Sequence, residues 1–197
     1  MPTESNLEQA LALGAAAPDF DLLGVDERRY RLSSFAEYPI LIVAFTCNHC
    51  PYVQAYEPRL IAIQRDYADR GVAVVAINSN DERGYPEDSF AEMVERAQRR
   101  GYNFPYLRDG DQVAARAYRA QCTPELYVFD HQRTLRYQGR IDDNWRDESQ
   151  VKRRELREAL DALLAGQQPS LGQTGAIGCS IKWTPGAPVM AAGQSPS

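Results

Sequence analysis

Ile40-Leu-Ile-Val-Ala-Phe-Thr-Cys-Asn-His-Cys-Pro-Tyr-Val53 is the stretch on which the reading of this chain turns. Its first six residues, Ile40 to Phe45, form a continuous apolar run, too short for a helix and rich in β-branched side chains. Such a run predicts a strand buried on both faces. Beyond it, Val53, Tyr56, Leu60, Ile63 and Tyr67 recur at alternating steps of three and four, which is one face of a helix, with Gly71 as its stop. Pro58 lies inside that stripe and predicts a kink rather than an end, because apolar residues continue on both sides of it. Between strand and helix stand Cys47 and Cys50, separated by Asn48 and His49.

Outward from this unit the same alternation continues. Val72 to Ile77 is a second buried strand. Pro86, Glu87, Asp88 and Ser89 make a helix start, Phe90, Met93, Val94 and Ala97 give that helix its inner face, and Gly101 closes it. A short strand at Tyr106-Leu107 and a helix from about Gln112 to Tyr118, capped by Asp111, come next. Glu125–Phe129 and Leu135–Gln138 flank the turn Asp130–Thr134 and predict a hairpin. Leu156, Leu160, Leu163 and Leu164 mark a last amphipathic helix ending near Gly166. A strand–helix–strand start implies a parallel pair with a right-handed crossover, and the hairpin adds antiparallel strands, so an α/β domain with helices on both sheet faces is expected.

Residues 1–15 read as an N-terminal extension, 16–165 as the domain, and 166–197 as a Gly/Pro-rich C-terminal tail carrying Cys179. Within the tail, Ile177, Ile181 and Trp183 form a small apolar island expected to pack on the body. The 197 residues, 44% hydrophobic and 25% charged, suffice for one ordinary core without disulfide or metal staples. No apolar run approaches a membrane span. Twenty-two Lys and Arg against 27 Asp and Glu give a net charge of −5, which argues against a nucleic-acid partner. The N-terminus has two glutamates and no basic residue in its first ten positions, so a secretory leader is not expected and a cytoplasmic protein is.

Four cysteines do not make a disulfide scaffold, and in a reducing compartment the spacing Cys47-Asn-His-Cys50 reads as redox chemistry. A cysteine at a helix N-terminus meets unpaired backbone N–H groups and the positive end of the helix dipole, both of which favour thiolate. A thiol with a pKa of ~8.5 is only about 3% thiolate at pH 7, so a fall of ~2 units makes the thiolate the majority form. Cys47 is therefore expected to be the exposed, low-pKa thiol of the pair, with His49 tuning it and Cys50 one turn away to attack a mixed disulfide formed on it. The alternatives are two inert buried thiols, or a metal-binding module using Cys47, His49 and Cys50. A closed zinc site would need further ligands, for which only Cys122, Cys179 and His131 remain.

The C-x-x-C after an apolar strand, the run Cys122-Thr123-Pro124 before the strand Glu125–Phe129, and the element order resemble the thioredoxin superfamily. The front end, Ala17-Pro-Asp-Phe-Asp-Leu22 leading into Tyr30-Arg-Leu-Ser-Ser-Phe35, resembles its alkyl hydroperoxide reductase and thiol-specific antioxidant branch. Phe45–Val53, Ile77-Asn-Ser-Asn-Asp81 and Gly178-Cys-Ser-Ile-Lys-Trp183 resemble the bacterial peroxiredoxin-like proteins of that superfamily. The resemblance spans about residues 16 to 183. It implies a thioredoxin-like fold: a central mixed β-sheet with flanking helices, an N-terminal β-hairpin extension and a C-terminal tail. It also implies a cis peptide at Pro124, with Thr123 and Pro124 presenting an extended substrate beside Cys47. Two features depart from the pattern. The Pro-x-x-x-Thr-x-x-Cys set of peroxiredoxins is absent around Cys47 and Cys50, and Ile40–Phe45 lacks the buried acid that thioredoxins carry there.

Four further groups have two readings each. Cys122 is a small buried filler or an accessory thiol, and Cys179 an incidental cysteine or a resolving thiol able to reach Cys47, Cys50 or Cys122. Asn78, Ser79, Asn80 and Asp81 end the second strand where α/β sheets bind ligands, or simply turn the chain. Arg140, Asp142, Asp143 and Trp145 could line the substrate face; His131 reads as a loop residue. The resulting expectation is a thiol–disulfide oxidoreductase with an antioxidant or redox-homeostasis role, with hydroperoxide reduction as its alternative. No cofactor is implied. Its partners would be a protein or low-molecular-weight disulfide and a thioredoxin-like or dithiol reductant, and the residues set no oligomeric state.

Overall fold

A computed structural model describes residues 2–4, by their backbone, and 6–186. In chain order the strands are β1 (Pro2–Glu4), β2 (Asp21–Gly24), β3 (Arg29–Arg31), β4 (Ile40–Thr46), β5 (Val72–Asn78), β6 (Tyr106–Arg108), β7 (Cys122–Thr123), β8 (Glu125–Phe129), β9 (Leu135–Gly139) and β10 (Ile177–Ser180). The α-helices are α1 (Pro51–Tyr67), α2 (Phe90–Arg100), α3 (Val113–Ala117) and α4 (Glu155–Leu164).

Every residue of β4 and β5 is buried, as continuous apolar runs require. The two strands pair in parallel, from Ile40 opposite Val72 to Thr46 opposite Asn78. They form the centre of a mixed sheet in the order β3-β2-β6-β5-β4-β8-β9. The expected hairpin is β8–β9, and β2–β3 is the N-terminal hairpin, joined to the sheet through β6. Because side chains alternate across a strand, the two faces collect different cores. Ile40, Ile42, Ala44, Val72, Val74 and Ala76 pack under α1, α2 and α4, whereas Leu41, Val43, Phe45, Val75 and Ile77 face α3, Phe20, Phe35 and Tyr118. Helices thus cover both faces, and each large side chain fully buried there contributes about 1.5–3 kcal/mol.

α1 runs through Pro58 without ending, and it starts with Pro51 at its first position, where a missing N–H leaves no hydrogen bond unmade. Its buried side chains tie it to its neighbours. Glu57 receives both Arg96 nitrogens at 2.7 and 3.0 Å, and Arg59 Nη1 donates to both Asp142 oxygens at 2.8 and 2.7 Å.

Two expectations change. The N-cap residue of α3 is Gln112, and Asp109, three residues earlier, accepts the N–H groups of Ala114 and Ala115 at 3.2 and 2.9 Å; Asp111 takes only that of Val113. The C-terminal segment is more than a docked island. Ile177–Ser180 is a strand, held between β1 and β7 in a second, three-stranded sheet. Ile181 is buried as expected, but Ile177 and Trp183 are 37% and 39% exposed, Trp183 lying under the Arg116 guanidinium. Residues 187–197 of the expected tail lie outside the described residues. Among the described residues, no helix is long and apolar enough to cross a membrane.

Candidate active site

The turn from β4 into α1 carries both cysteines to the C-terminal end of the central strands. α1 begins at Pro51, so the N-cap is Cys50, and Cys47 sits a full turn earlier, just past the strand. Both thiols are 0% exposed. They meet at Thr123: Cys47 Sγ and Thr123 Oγ1 are 3.2 Å apart, and Cys50 Sγ reaches the Thr123 carbonyl at 3.2 Å. The Thr123–Pro124 peptide is cis. Tyr52, Val53 and Cys179 pack against the pair.

The expectation for Cys47 is corrected on two points, since it is neither exposed nor the low-pKa thiol. Burial, followed by the neighbouring Cys50 sulfur and the Asp88 charge, pushes the Cys47 thiol well up. Cys50 is lowered to about 5, first by the Cys47 thiol donating to it, then by the Cys179 thiol and the backbone N–H groups of Val53 and Cys179. Of the two thiols, the one at the helix cap is lowered and the one before it is raised. The cause is local: the backbone donors of the first turn point to residue 50, not residue 47.

His49 meets a carboxylate that the motif gives no sign of, while a ring nitrogen stays within 4.8 Å of Cys47 Sγ. Its Nδ1 lies 2.6 Å from Asp88 Oδ2, and its ring stacks on Tyr85 with centroids 4.9 Å apart. Asp88 is fully buried and also accepts from the Asn48 N–H at 2.6 Å, the Asn80 amide at 2.8 Å and the Asn78 amide at 3.2 Å. Burial works to raise the Asp88 carboxyl, but the His49, Asn48 and Asn80 hydrogen bonds outweigh it and hold it below the usual carboxylate range. The same hydrogen bond raises His49 above its ordinary value, against the effect of its own burial. The polar run after β5 is thus absorbed: Asn78 and Asn80 position Asp88, which in turn holds the Asn48-His49 turn.

Among the described residues, the candidate metal donors lying within 4.8 Å of one another are Cys47, His49 and Asp88, so Cys50 is not in the group. Cys122 is fully buried with its thiol directed at the Ala176 carbonyl, and burial raises its pKa, the pattern of an inert filler. Cys179, half-buried, stands opposite Thr123 on β10. His131 is exposed in the β8–β9 turn. Of the four residues proposed for a substrate face, Asp142 is held by Arg59, Arg140 donates to Glu155 at 2.6 Å, and Asp143 accepts the Lys152 N–H. Only Trp145 approaches the site, its ring 4.3 Å from that of Tyr52. β4 carries no acid, yet β8 sets Glu125 opposite Phe45; burial raises its carboxyl, which accepts from the Gln121 N–H and the Gln138 amide.

The edge of Thr123, expected to receive an extended substrate, is occupied by β10. Cys179 pairs with Thr123 and Ser180 with Cys122, antiparallel. Gly178 makes this approach possible, because a Cβ there would lie 2.1 Å from the Thr123 carbonyl oxygen.

The sequence matches the AhpC/TSA family over residues 13–138. No curated protein matches it. Among solved structures, a hypothetical protein from Sinorhizobium meliloti 1021 is 40% identical, with 93% of this chain and 100% of that chain covered and a TM-score of 0.87. An uncharacterized conserved protein from Geobacillus kaustophilus is 42% identical over 95% of this chain and 98% of that chain, with a TM-score of 0.89. A putative thiol:disulfide interchange protein DsbE from Chlorobium tepidum shares the fold at 20% identity, over 80% of this chain and 98% of that chain, with a TM-score of 0.60. The chain belongs to the AhpC/TSA family, has a thioredoxin-like fold and is an oxidoreductase.

Proposed function

We propose that the protein is a thiol–disulfide oxidoreductase in which Cys47 and Cys50 cycle between dithiol and disulfide. One observation carries this reading: two buried thiols face a single residue, Thr123, at 3.2 Å each. A thiolate at Cys50 is the nucleophile toward an incoming disulfide, reversing the order expected from the motif. Cys47 then attacks the mixed disulfide, its proton leaving with the released thiol. His49 and Asp88 hold the turn between the two sulfurs. Electrons return from a dithiol or thioredoxin-like reductant, in a reducing compartment such as the cytoplasm.

A second reading, hydroperoxide reduction, is favoured by the closed site. With both sulfurs 0% exposed and the Thr123 edge taken, a small oxidant fits better than an extended peptide. The Cys50 thiolate would attack the peroxide O–O bond, giving sulfenic acid and releasing water or an alcohol. Cys47 would then condense with the sulfenic acid, giving the disulfide and a second water.

The test begins with the ultraviolet absorbance of thiolate in the reduced protein. It should rise with a midpoint of about 5, and Cys50→Ser should remove that step. Oxidation by one equivalent of hydrogen peroxide or of a small disulfide should then give a Cys47–Cys50 linked peptide, the faster oxidant deciding between the two readings. Both thiols titrating near the ordinary value of about 8.5, with no linked peptide from either oxidant, would overturn both.

A further inference from the structure

Among the described residues both thiols of the pair are 0% exposed, and a third, half-buried sulfur packs against them. That sulfur belongs to Cys179, the half-buried cysteine of the four, which packs against the cluster of Cys47, Cys50 and Val53. Its strand is fixed, not loosely docked. β10 pairs with β7 on one side and β1 on the other, and the Ile181 N–H donates to the Gln121 carbonyl at 3.1 Å. The next residues are clamped by the polar loops: the Lys182 N–H donates to Asn80 at 2.9 Å, its carbonyl accepts the Asp81 N–H at 2.8 Å and the Gln112 amide at 2.9 Å, and the Thr184 N–H donates to Gln112 at 2.9 Å. Gln112 adopts a positive φ of 62° and directs its amide into this clamp. The chain's own strand thus occupies the edge along which an extended peptide would pair, and sets a cysteine beside Cys50.

We propose that Cys179 is the thiol through which the buried Cys47–Cys50 pair exchanges electrons with thiols in solution. The proposal rests on the reading of that pair as an exchanging dithiol. In the oxidised protein the Cys179 thiolate attacks Cys50 Sγ: the Cys179–Cys50 bond forms, the Cys47–Cys50 bond breaks, and Cys47 leaves and takes up a proton. A small external dithiol then attacks Cys179 Sγ, breaking the Cys179–Cys50 bond and leaving Cys50 as thiolate. The second thiol of the reductant closes onto its first, releasing Cys179. The reductant ends as a disulfide, the pair ends reduced, and Cys179 is unchanged. While Cys50 is a thiolate, Cys179 is pushed up to about 12, by burial first and by Cys50 second, and disulfide formation removes the second contribution.

The experiment uses the full chain and its Cys179→Ser, Cys179→Ala and Cys47→Ser variants, oxidised with one equivalent of hydrogen peroxide, mapped by peptide mass, then reduced with dithiothreitol in a stopped-flow instrument. Wild type and both Cys179 variants should form the Cys47–Cys50 disulfide. The variants should be reduced at least about tenfold more slowly, Ser and Ala alike, because a buried disulfide exchanges only as fast as a thiolate reaches it. Cys47→Ser should yield a linked Cys50–Cys179 peptide. Reduction of either Cys179 variant at the wild-type rate, or a free Cys179 in oxidised Cys47→Ser, overturns the relay while leaving the pair's function intact. Failure of the Cys47–Cys50 disulfide to form in wild type overturns both.

Discussion

Around Asp88, side chains do the holding: one buried carboxylate receives His49, Asn78 and Asn80 together with the Asn48 N–H, and so ties two separate stretches of chain to the start of α2. Along the seam between β7 and β10 the backbone does it, and the deciding feature is a side chain that is missing, at Gly178. The first region fixes the turn between the two sulfurs; the second decides what can reach them. A hub of charge-assisted hydrogen bonds is expensive to break because every partner is left buried and unsatisfied. The β7–β10 ladder pairs only two residues, and its opening also has to break the β1 pairing and the Lys182 clamp, so it costs less than breaking the hub without being free.

The hub should break hardest. In Asp88→Asn the acceptor of four donors becomes itself a donor, and a buried charge pair loses a partner, so global stability should fall by about 3 kcal/mol or more. Urea unfolding measures this directly, and a loss below about 1 kcal/mol would remove Asp88 from its assigned place. The seam should give more gently. Gly178→Ala forces a methyl against the Thr123 carbonyl, costing about 1–3 kcal/mol if the strand stays and less if it lifts away. Lifting should show as faster amide exchange in β10 and faster alkylation of Cys179, with β4 and β5 amides unchanged. Uniformly faster exchange across β4, β5 and β10 would mean that the seam is part of the global fold and not a separable closure.

The same contrast explains what the sequence disclosed. β4, α1, β5 and the β8–β9 hairpin were legible because each is announced by its own residues: Ile40–Phe45 and Val72–Ile77 are apolar throughout, and the Val53–Tyr67 stripe has helical spacing. The Cys47-Asn-His-Cys50 motif was legible for the same reason, whereas the cis step at Thr123-Pro124 came from the family resemblance, since few X–Pro bonds are cis. Asp88 was not, because it reaches His49 from 39 residues away and, in Pro86-Glu-Asp-Ser89, reads as an ordinary helix start. The available signal was indirect: Asn78 and Asn80 are amides at the end of a wholly buried strand, and buried amides need partners. β10 was hidden more deeply. A Gly-rich stretch predicts a loose tail, and only the close approach at Thr123 gives Gly178 its purpose. The exposure and pKa order of the two cysteines failed on a smaller point, the start of α1 at Pro51, three residues later than the activation of Cys47 requires.

The smallest effect expected is one of pH, and it tests the hub without dismantling it. His49 is raised above its ordinary value by its hydrogen bond to Asp88, so the folded chain holds the imidazolium proton more tightly than the unfolded chain does. For such a group the stabilisation is complete below the unfolded pKa of about 6.5 and is lost as pH rises through the higher folded value. The thiols titrate over an overlapping range with Cys50 shifted the other way, so the stability of wild type alone mixes the two contributions. The quantity to measure is therefore the difference between wild type and His49→Gln, in which contributions common to both proteins cancel. That difference should favour wild type at pH 6 and shrink steadily above it. Gln retains an amide that can donate to Asp88, so the difference isolates the charge of the imidazolium from the hydrogen bond itself. A difference constant from pH 5.5 to 9 would show that His49 meets Asp88 as a neutral ring, and the polar half of the site would then be held by the asparagine amides and the Asn48 N–H alone.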